Sequence, residues 1–430
     1  MFKERQPVKV AEAVNKVMSF TAKGEKEYID LMEAEGRYLA EDILADHPIP
    51  PFDRSPLDGF AIRSADTNEA SKESPVQLTV KETVGAGNVS TAAIGPGEAV
   101  RVMTGTIMPK ACDAVVMFEL ADEYVEDGLE KIQIKRRFYP DDNVSKQGEE
   151  TSEGEVVVKQ GSKVTSGVIA VLATFGYDRV PAVKRPVVGI YATGTELLDV
   201  NEKLEPGKIR NSNAYMVASQ VREAGAEPLY FGKLADDFDT CYEAVKTKLN
   251  DVDALITTGG VSVGDFDFLP EIYAKLGADV LFNKIAMRPG SVTTVAAKDE
   301  KLLFGLSGNP SACFVGFELY ARPWIKSYLG SPAPYLQVVR GTLTADFPKP
   351  NPFTRFIRSK VEYAGNRLYA SPVGMDKSQV VTSLAYTDCL AAVPGGSRGY
   401  HAGDEVDILL LNPEGSSEPI RDPEKKRSGH

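Results

Sequence analysis

Between residues 186 and 330, short apolar runs of β-prone residues alternate with segments whose apolar positions recur at helical spacing. The apolar runs predict strands at residues 187–191, 228–234, 254–258, 280–285, 292–296 and 302–306. The helical spacing predicts helices at about 213–224, 238–249, 268–276 and 310–328. Strands that alternate with helices form a parallel or mostly parallel sheet with helices on both faces. Ligands of such sheets bind at the carboxyl ends of the strands.

The segments on either side of this region are rich in short β-prone runs separated by Gly and Pro. In the first segment the pattern predicts strands at 76–84, 99–103, 115–119 and 131–135, which indicate a small inserted β domain. In the second it predicts strands at 338–343, 354–363, 367–371, 388–393 and 405–411. Apolar and polar residues alternate from Phe356 to Tyr363, so we expect this part to form a small barrel.

The amino-terminal residues 7–45 have a mostly helical pattern, including the segment from Tyr28 to Ala45, which is rich in Glu, Leu and Ala. Prolines at positions 48, 50 and 51 end that pattern. After the β segment, a strand and a helix at 166–175 are predicted. We therefore expect five parts: residues 1–45 with 144–182, 46–143, 183–331, 332–412, and a disordered polar tail at 413–430.

Composition excludes several classes of function. A net charge of −12 over 430 residues argues against broad binding of nucleic acid or of acidic membranes. The four cysteines lie far apart, which excludes a C-x-x-C metal site and favours a reducing, cytoplasmic compartment. With only three histidines, a histidine metal cage or a Ser-His-Asp triad is not expected. No apolar run reaches membrane-spanning length, and the amino terminus does not resemble a signal peptide.

The loop after the predicted strand 254–258 carries the clearest candidate chemistry. Its glycines, Gly259, Gly260 and Gly264, allow backbone N–H groups to approach a ligand closely, as a phosphate requires. Ser262 lies among them, and the carboxylates Asp265 and Asp267 follow. Phosphate together with Mg²⁺ is the simplest ligand that satisfies both groups, although an ordinary strand-to-helix turn has a similar composition.

Other strand ends are glycine-rich, acidic or hydroxylic as well. They carry Thr193-Gly-Thr-Glu196, Asp236-Asp237 and Ser307-Gly-Asn309-Pro-Ser311. Agreement among independent loops favours a ligand site over merely solvated loops. Lys284 and Arg288 lie nearby and are basic residues in an acidic protein, so we expect them to form an oxyanion site.

The motifs in this order resemble the molybdopterin molybdotransferase family, which includes bacterial MoeA, the plant enzymes and the gephyrin E domain. The matching motifs lie in family order along most of the chain. They are Pro51-Phe-Asp-Arg-Ser-Pro-Leu-Asp58-Gly-Phe-Ala61, Met103-Thr104-Gly105, Gly148-Glu149, Thr193-Gly-Thr-Glu-Leu197, Ile209-Arg-Asn-Ser-Asn213, Gly259-Gly-Val-Ser-Val-Gly264, Ala286-Met-Arg-Pro-Gly290 and Ser307-Gly-Asn-Pro310.

The resemblance implies a multidomain α/β plus β fold, with a central three-layer α/β molybdopterin-binding domain, an inserted small β domain and a carboxy-terminal β-barrel. It implies an enzyme of molybdenum cofactor biosynthesis that inserts molybdate into adenylylated molybdopterin and releases AMP, with Mg²⁺ present. It also implies a homodimer, with 1–45 and 144–182 as the dimerisation segment, and possible contact with the adenylating enzyme and with acceptor molybdoenzymes.

The resemblance also implies roles for individual residues. The catalytic residues would be Asp58, Thr104, Glu196, Asp237 and Asp267. Glu196, Asp236 or Asp237, Asp265 and Asp267 would hold the cation and orient water or phosphate. The remaining candidates would bind the pterin phosphates or molybdate. They are Gly259, Gly260, Ser262, Gly264, Lys284, Arg288, Ser307, Asn309, Ser311, Arg355, Arg358 and Ser378.

Two departures from the family pattern and two alternative functions stay open. Thr195 and Ser291 stand where many members carry an aspartate and a lysine, so that one carboxylate and one cation are missing. The alternatives are an ATP-dependent molybdopterin adenylyltransferase and a non-catalytic scaffold that binds pterin or molybdate. The first predicts ATP turnover, and the second predicts binding without turnover.

Overall fold

The computed structural model describes residues 6–234, 237–260, 269–348, 351–416, 419 and 422. The chain divides into two compact units, one of residues 1–41, 160–169 and 178–430, and one of residues 42–159 and 170–177. The strands are β1 (Lys26–Asp30), β2 (Ile43–Leu44), β3 (Gly59–Ile62), β4 (Val76–Val84), β5 (Glu98–Val102), β6 (Ala114–Met117), β7 (Ala121–Glu126), β8 (Leu129–Ile134), β9 (Val156–Val158), β10 (Arg179–Val183), β11 (Val187–Thr193), β12 (Leu197–Leu198), β13 (Ile209–Arg210), β14 (Glu227–Leu234), β15 (Ala254–Thr258), β16 (Asp279–Phe282), β17 (Met287–Arg288), β18 (Thr294–Lys298), β19 (Lys301–Leu306), β20 (Tyr335–Leu343), β21 (Thr354–Ala364), β22 (Arg367–Pro372), β23 (Cys389–Val393) and β24 (Glu405–Ser416). The α-helices are α1 (Val10–Met18), α2 (Ser166–Thr174), α3 (Asn213–Ala224), α4 (Phe238–Lys248), α5 (Leu269–Lys275), α6 (Pro310–Gly316) and α7 (Arg322–Tyr328).

The central sheet of the larger unit is mostly parallel, as the sequence predicts. Within the described residues its strand order is β14-β11-β15-β19-β18-β16, in which the first four strands pair in parallel and β18 pairs antiparallel with both β19 and β16. Alternate residues of β15 pack into different cores. Ala254 and Ile256 pack with α3 and the helices beside it, whereas Leu255 packs with α4 and α5. The sheet is therefore the middle of three layers, and the predicted fold class is confirmed.

The carboxy-terminal strands close into a barrel. Neighbouring strands follow the order β21-β22-β20-β24-β23, and β23 pairs again with β21, which closes a five-stranded barrel within the described part of the chain. Closure removes the free sheet edges. The last strand continues to Ser416, past the predicted start of the tail at Pro413. The two-residue strand β17 pairs in parallel with β21, so the barrel wall continues into the α/β region.

The smaller unit contains the predicted β segment. Its main sheet has the order β6-β3-β5-β4-β8-β7 over the residues described. Phe60 and Ile62 on β3 pack into one core, and Ala61 between them packs into another, so both faces of this sheet are covered.

Two helix predictions differ from the structure. The segment from Tyr28 to Ala45 forms no α-helix: Lys26–Asp30 pairs with Arg179–Val183 as an antiparallel ribbon, and a single 3₁₀ turn follows at Leu31–Glu33. Pairing with a distant strand outweighs the local helix preference of this segment. The predicted helix at 310–328 is interrupted by a π-helical turn at Phe317–Ala321 just before Pro323, which has no N–H to donate to the preceding turn.

Candidate functional site

Three strand ends of the central sheet meet, as the topology predicts. A Cβ on Gly259 would lie 2.5 Å from Thr193 Oγ1, and a Cβ on Gly308 would lie 3.6 Å from the Cα of Gly259. The Gly259 N–H donates to Leu306 O at 2.8 Å, and the hydroxyl of Thr193 donates to Thr258 O at 3.2 Å. Gly259 has a φ of +98°, a conformation that glycine adopts without strain. This close approach explains why the loop requires glycine there.

The acidic candidates are only partly covered by the described residues. Glu196 is exposed in the turn between β11 and β12. Asp237 caps α4, since its Oδ1 accepts from Thr240 N at 2.8 Å and from Thr240 Oγ1 at 2.5 Å. These two donors lower the pKa of Asp237. Asp236, Ser262, Gly264, Asp265 and Asp267 lie outside the described residues, and among the residues described no three acidic, His or Cys side chains are grouped closely enough to hold a metal ion.

A cavity of about 390 Å³ lies beside the strand ends. Arg288 and Arg355 are neighbours across the β17–β21 pairing, although they are far apart in the sequence. The cavity is lined by Arg288, Pro289, Gly290, Ser291, Val292, Ser307, Asn309, Ala312, Arg355, Asp376 and Ser378. Guanidinium, hydroxyl and amide groups are the donors that a tetrahedral oxyanion requires. Five of the predicted binding residues, Arg288, Ser307, Asn309, Arg355 and Ser378, are thus brought together at one cavity.

The guanidinium group of Arg355 is held on two sides. Its Nε donates to Asp376 Oδ2 at 2.7 Å, and its Nη2 lies 2.5 Å from the same oxygen. Its Cζ lies 5.0 Å from the centre of the Phe347 ring. The sequence analysis did not select Asp376, because an isolated Asp in a polar loop gives no sign of a partner 21 positions away.

Ser311 and Arg358 do not line the cavity but hold the loop that carries Asp376 and Ser378. The Ser311 N–H donates to Ser378 O at 3.0 Å, and its hydroxyl donates to Val380 O at 2.5 Å. Arg358 is 2% exposed. Its Nη2 donates to Met375 O at 2.9 Å and its Nε donates to Ser383 Oγ at 2.9 Å. The alternation predicted at Phe356–Tyr363 is consequently wrong, since residues 356–359 are all buried.

Lys284 does not line this cavity either. Its backbone carbonyl accepts from the Val8 N–H at 3.0 Å, and the residue is half-buried. Lys284 therefore lies in the segment after β16 that is hydrogen-bonded to the residues just before α1.

In the smaller unit, the structure brings together two of the predicted catalytic residues, Asp58 and Thr104. Thr104 donates to Asp58 Oδ1 through both its backbone N–H, at 2.7 Å, and its hydroxyl, at 2.8 Å. These bonds lower the pKa of Asp58, with the backbone donor as the larger cause. Asp58 is therefore a carboxylate at neutral pH. A further hydrogen bond, from the Gly105 N–H to Ser55 O at 2.8 Å, holds the loop that carries Thr104 beside it.

The larger unit thus combines an α/β sheet with a fused barrel, and both contribute residues to a cavity lined by Arg288 and Arg355. This cavity lies at the carboxyl edge of the sheet, where ligands of such folds bind. Three family profiles match the chain: "MoeA N-terminal region (domain I and II)" over residues 8–176, "Probable molybdopterin binding domain" over 189–327, and "MoeA C-terminal region (domain IV)" over 340–411. A protein of Bacillus subtilis named molybdopterin molybdenumtransferase is 56% identical over 97% of both chains. A protein of that name from Staphylococcus aureus is 47% identical over 97% of this chain and 99% of its own.

Solved structures agree with these matches. A molybdopterin biosynthesis MoeA protein of Pyrococcus horikoshii superposes with a TM-score of 0.79 at 31% identity, over 94% of this chain and 100% of its own. Another structure of a MoeA protein from this organism gives a TM-score of 0.83 at 28% identity, over 95% and 100%. The chain belongs to the molybdopterin molybdenumtransferase (MoeA) family.

Proposed function

We propose that this protein inserts molybdate into adenylylated molybdopterin, with hydrolysis of the phosphoanhydride and release of AMP. The observation that carries the proposal is the pair of arginines, Arg288 and Arg355, at a cavity beside the glycine-rich strand ends. An oxyanion and a phosphate ester would then be held next to each other. The near-full-length relatives named molybdopterin molybdenumtransferase support this reading of the cavity.

The residues would divide the work as follows. Arg288 and Arg355 bind molybdate by charge-assisted hydrogen bonds, with the hydroxyls of Ser307 and Ser378 and the amide of Asn309 as further donors. The Gly259–Gly260 turn would receive a phosphate group through the Gly260 N–H, because the Gly259 N–H already donates to Leu306 O. Gly259 would shape this turn, since Thr193 leaves no room for a Cβ there. Ser262, Gly264 and Lys284 would extend this binding surface. Ser311 and Arg358 keep the Ser378 loop in position.

A divalent cation, which we propose to be Mg²⁺, would be held by carboxylates near the same strand ends. Glu196 is exposed, and Asp237 binds both of its Thr240 donors through Oδ1, so each offers an oxygen ligand. Asp236, Asp265 and Asp267 would complete the set. The cation would neutralise charge that develops on the phosphoanhydride. Molybdenum keeps its oxidation state during insertion, so the chain needs no redox ligand.

We further propose a cytoplasmic homodimer. The four cysteines are buried and form no disulfide bonds, which is typical of proteins from a reducing compartment. Helix α2 contains a run of apolar residues from Val168 to Ala173, yet only Leu172 is fully buried. A partner copy would cover the rest of this run. Sedimentation as a single chain would exclude the dimer. No described helix is long and apolar enough to cross a membrane. The adenylating enzyme and acceptor molybdoenzymes are the proposed transient partners.

The test is AMP release from purified adenylylated molybdopterin with Mg²⁺, measured with and without molybdate. We expect release that depends on molybdate, and a product that activates an apo-molybdoenzyme. ATP-dependent adenylation of free molybdopterin would instead assign the preceding step. Tight pterin binding without either activity would assign a scaffold.

An Asp58→Asn variant is expected to release AMP about 100-fold more slowly than the parent, because it loses the negative charge that we propose orients the attacking water. Asn can still accept from both Thr104 donors, so the melting temperature should stay within about 2 °C of the parent value.

Thr104→Val is the matched control, since it removes one donor of this pair and keeps the charge. We expect it to slow AMP release by less than about tenfold. If Asp58→Asn turns over as fast as the parent, Asp58 only supports the loop.

A further inference from the structure

The cavity that binds the oxyanion contains a carboxylate as well as two guanidinium groups. Arg288, Arg355 and Asp376 are the ionisable residues among those that line it, so two positive charges and one negative charge leave a net charge of +1. A carboxylate is an unexpected neighbour for an anion, because it repels the ligand that the arginines attract. Asp376 therefore requires a physical explanation.

Asp376 is a built part of the cavity wall. Its Oδ2 accepts from Arg355 Nε at 2.7 Å, and the side chains of Arg355 and Asp376 are only 15% and 19% exposed. Burial lowers the pKa of Arg358, and the charge of Asp376 partly opposes that shift. The charge of Asp376 thus acts on two neighbouring arginines, of which Arg355 is hydrogen-bonded to it. The backbone on either side of it is fixed, since Arg358 Nη2 donates to Met375 O and the Ser311 N–H donates to Ser378 O.

We propose that Asp376 is a specificity-determining residue of this cavity, whose carboxylate shares Arg355 with the bound oxyanion and lowers the affinity for a dianion more than for a monoanion of the same shape. The inference rests on the proposed function, since that function assigns the cavity to molybdate. Because Asp376 offsets part of the positive charge, the cavity binds its oxyanion more weakly than two arginines alone would, and the oxyanion remains able to leave for transfer.

The direction follows from the dependence of Coulomb energy on charge. Asp376 repels a dianion twice as strongly as a monoanion at the same place. If loss of this charge tightens monoanion binding by a given factor, it tightens dianion binding by about the square of that factor. A residue that merely orients Arg355 would behave differently, because its loss would weaken both anions to a similar extent.

The experiment is calorimetric titration of the full-length protein with molybdate and with perrhenate, which are tetrahedral oxyanions of charge −2 and −1. For Asp376→Asn we expect about tenfold tighter binding of molybdate and about threefold tighter binding of perrhenate. Asp376→Ala should change both affinities in the same direction. It serves as the second variant if the Asn protein does not fold.

Asp407→Asn is the matched control. Asp407 is 20% exposed on the same barrel and pairs with Arg340 Nη1 at 2.7 Å, but it does not line the cavity. We expect unchanged affinity for both oxyanions. Weaker binding by the Asp376 variants, or an equal change for molybdate and perrhenate, would overturn the inference. If the parent releases AMP but binds neither oxyanion, the cavity is not the oxyanion site and the inference about Asp376 is wrong. The proposed reaction would still stand in that case.

Discussion

An Arg288→Ala variant is expected to require about 10- to 100-fold more molybdate for half-maximal AMP release. A hydrogen bond from a charged donor contributes about 1.5–3 kcal/mol, and 1.4 kcal/mol corresponds to a factor of ten in affinity. Arg288 is exposed at the cavity and lies beside Arg355, so its loss removes one of two guanidinium groups there. The measurement is the molybdate dependence of AMP release, together with the Kd for adenylylated molybdopterin, which should change less than about threefold.

Arg340→Ala is the control for Arg288→Ala. Arg340 is a surface residue of the barrel, pairs with Asp407 and lies outside the cavity. Its loss removes the same charge from the protein and should leave the molybdate dependence unchanged. Should Arg288→Ala weaken molybdate and pterin binding by the same factor, a specific role of Arg288 in oxyanion binding would be ruled out.

A Gly259→Ala variant is expected to lose most of its activity and about 2–5 kcal/mol of unfolding free energy. Ala at a φ of +98° is strained by about 1–2 kcal/mol. Its Cβ would also lie 2.5 Å from Thr193 Oγ1 and 2.9 Å from Thr193 O. Relief of such a clash moves two strand ends apart, which typically costs another 1–3 kcal/mol. Denaturant unfolding and AMP release measure the two effects.

Gly277→Ala separates strain from collision. Gly277 has a φ of +68°, but a Cβ there would meet nothing within 4 Å. This variant should lose only about 1 kcal/mol and keep its activity. Equal losses for the two variants would mean that backbone strain alone explains the effect, and that the contact between Gly259 and Thr193 does not shape the site.

Local patterns predicted the elements of the central sheet and the carboxyl edge where its ligands bind, because periodicity and glycine-rich loops are properties of short segments. Arg288 was selected for the same reason, as a basic residue beside a Pro-Gly turn in an acidic chain. Arg355, Arg358 and Ser378 entered only through the resemblance to a family. The error at Tyr28–Ala45 shows the limit of local patterns, since its structure depends on a strand about 150 positions away.

Candidates that share a motif turned out to have different surroundings. Ser311 follows Asn309 closely in the sequence, yet Asn309 lines the cavity whereas the hydroxyl of Ser311 is directed to Val380 O. Arg355 and Arg358 lie three residues apart on one strand, and only Arg355 reaches the cavity. The loop that carries Asp376 and Ser378 covers Arg358. The burial of Arg358 therefore depends on a segment outside its own strand, which the periodicity of that strand cannot predict.

The sequence by itself determined the α/β and barrel architecture, the family, and the chemistry of the strand-end loops, since each depends on residue types in order along the chain. Only the tertiary structure decided which donors share one cavity and that Asp376 lies among them. The reason is physical: the β17–β21 pairing and the Arg355–Asp376 ion pair join segments that are distant in sequence. Contacts of this kind depend on the packing of the whole unit, and no local sequence pattern predicts them.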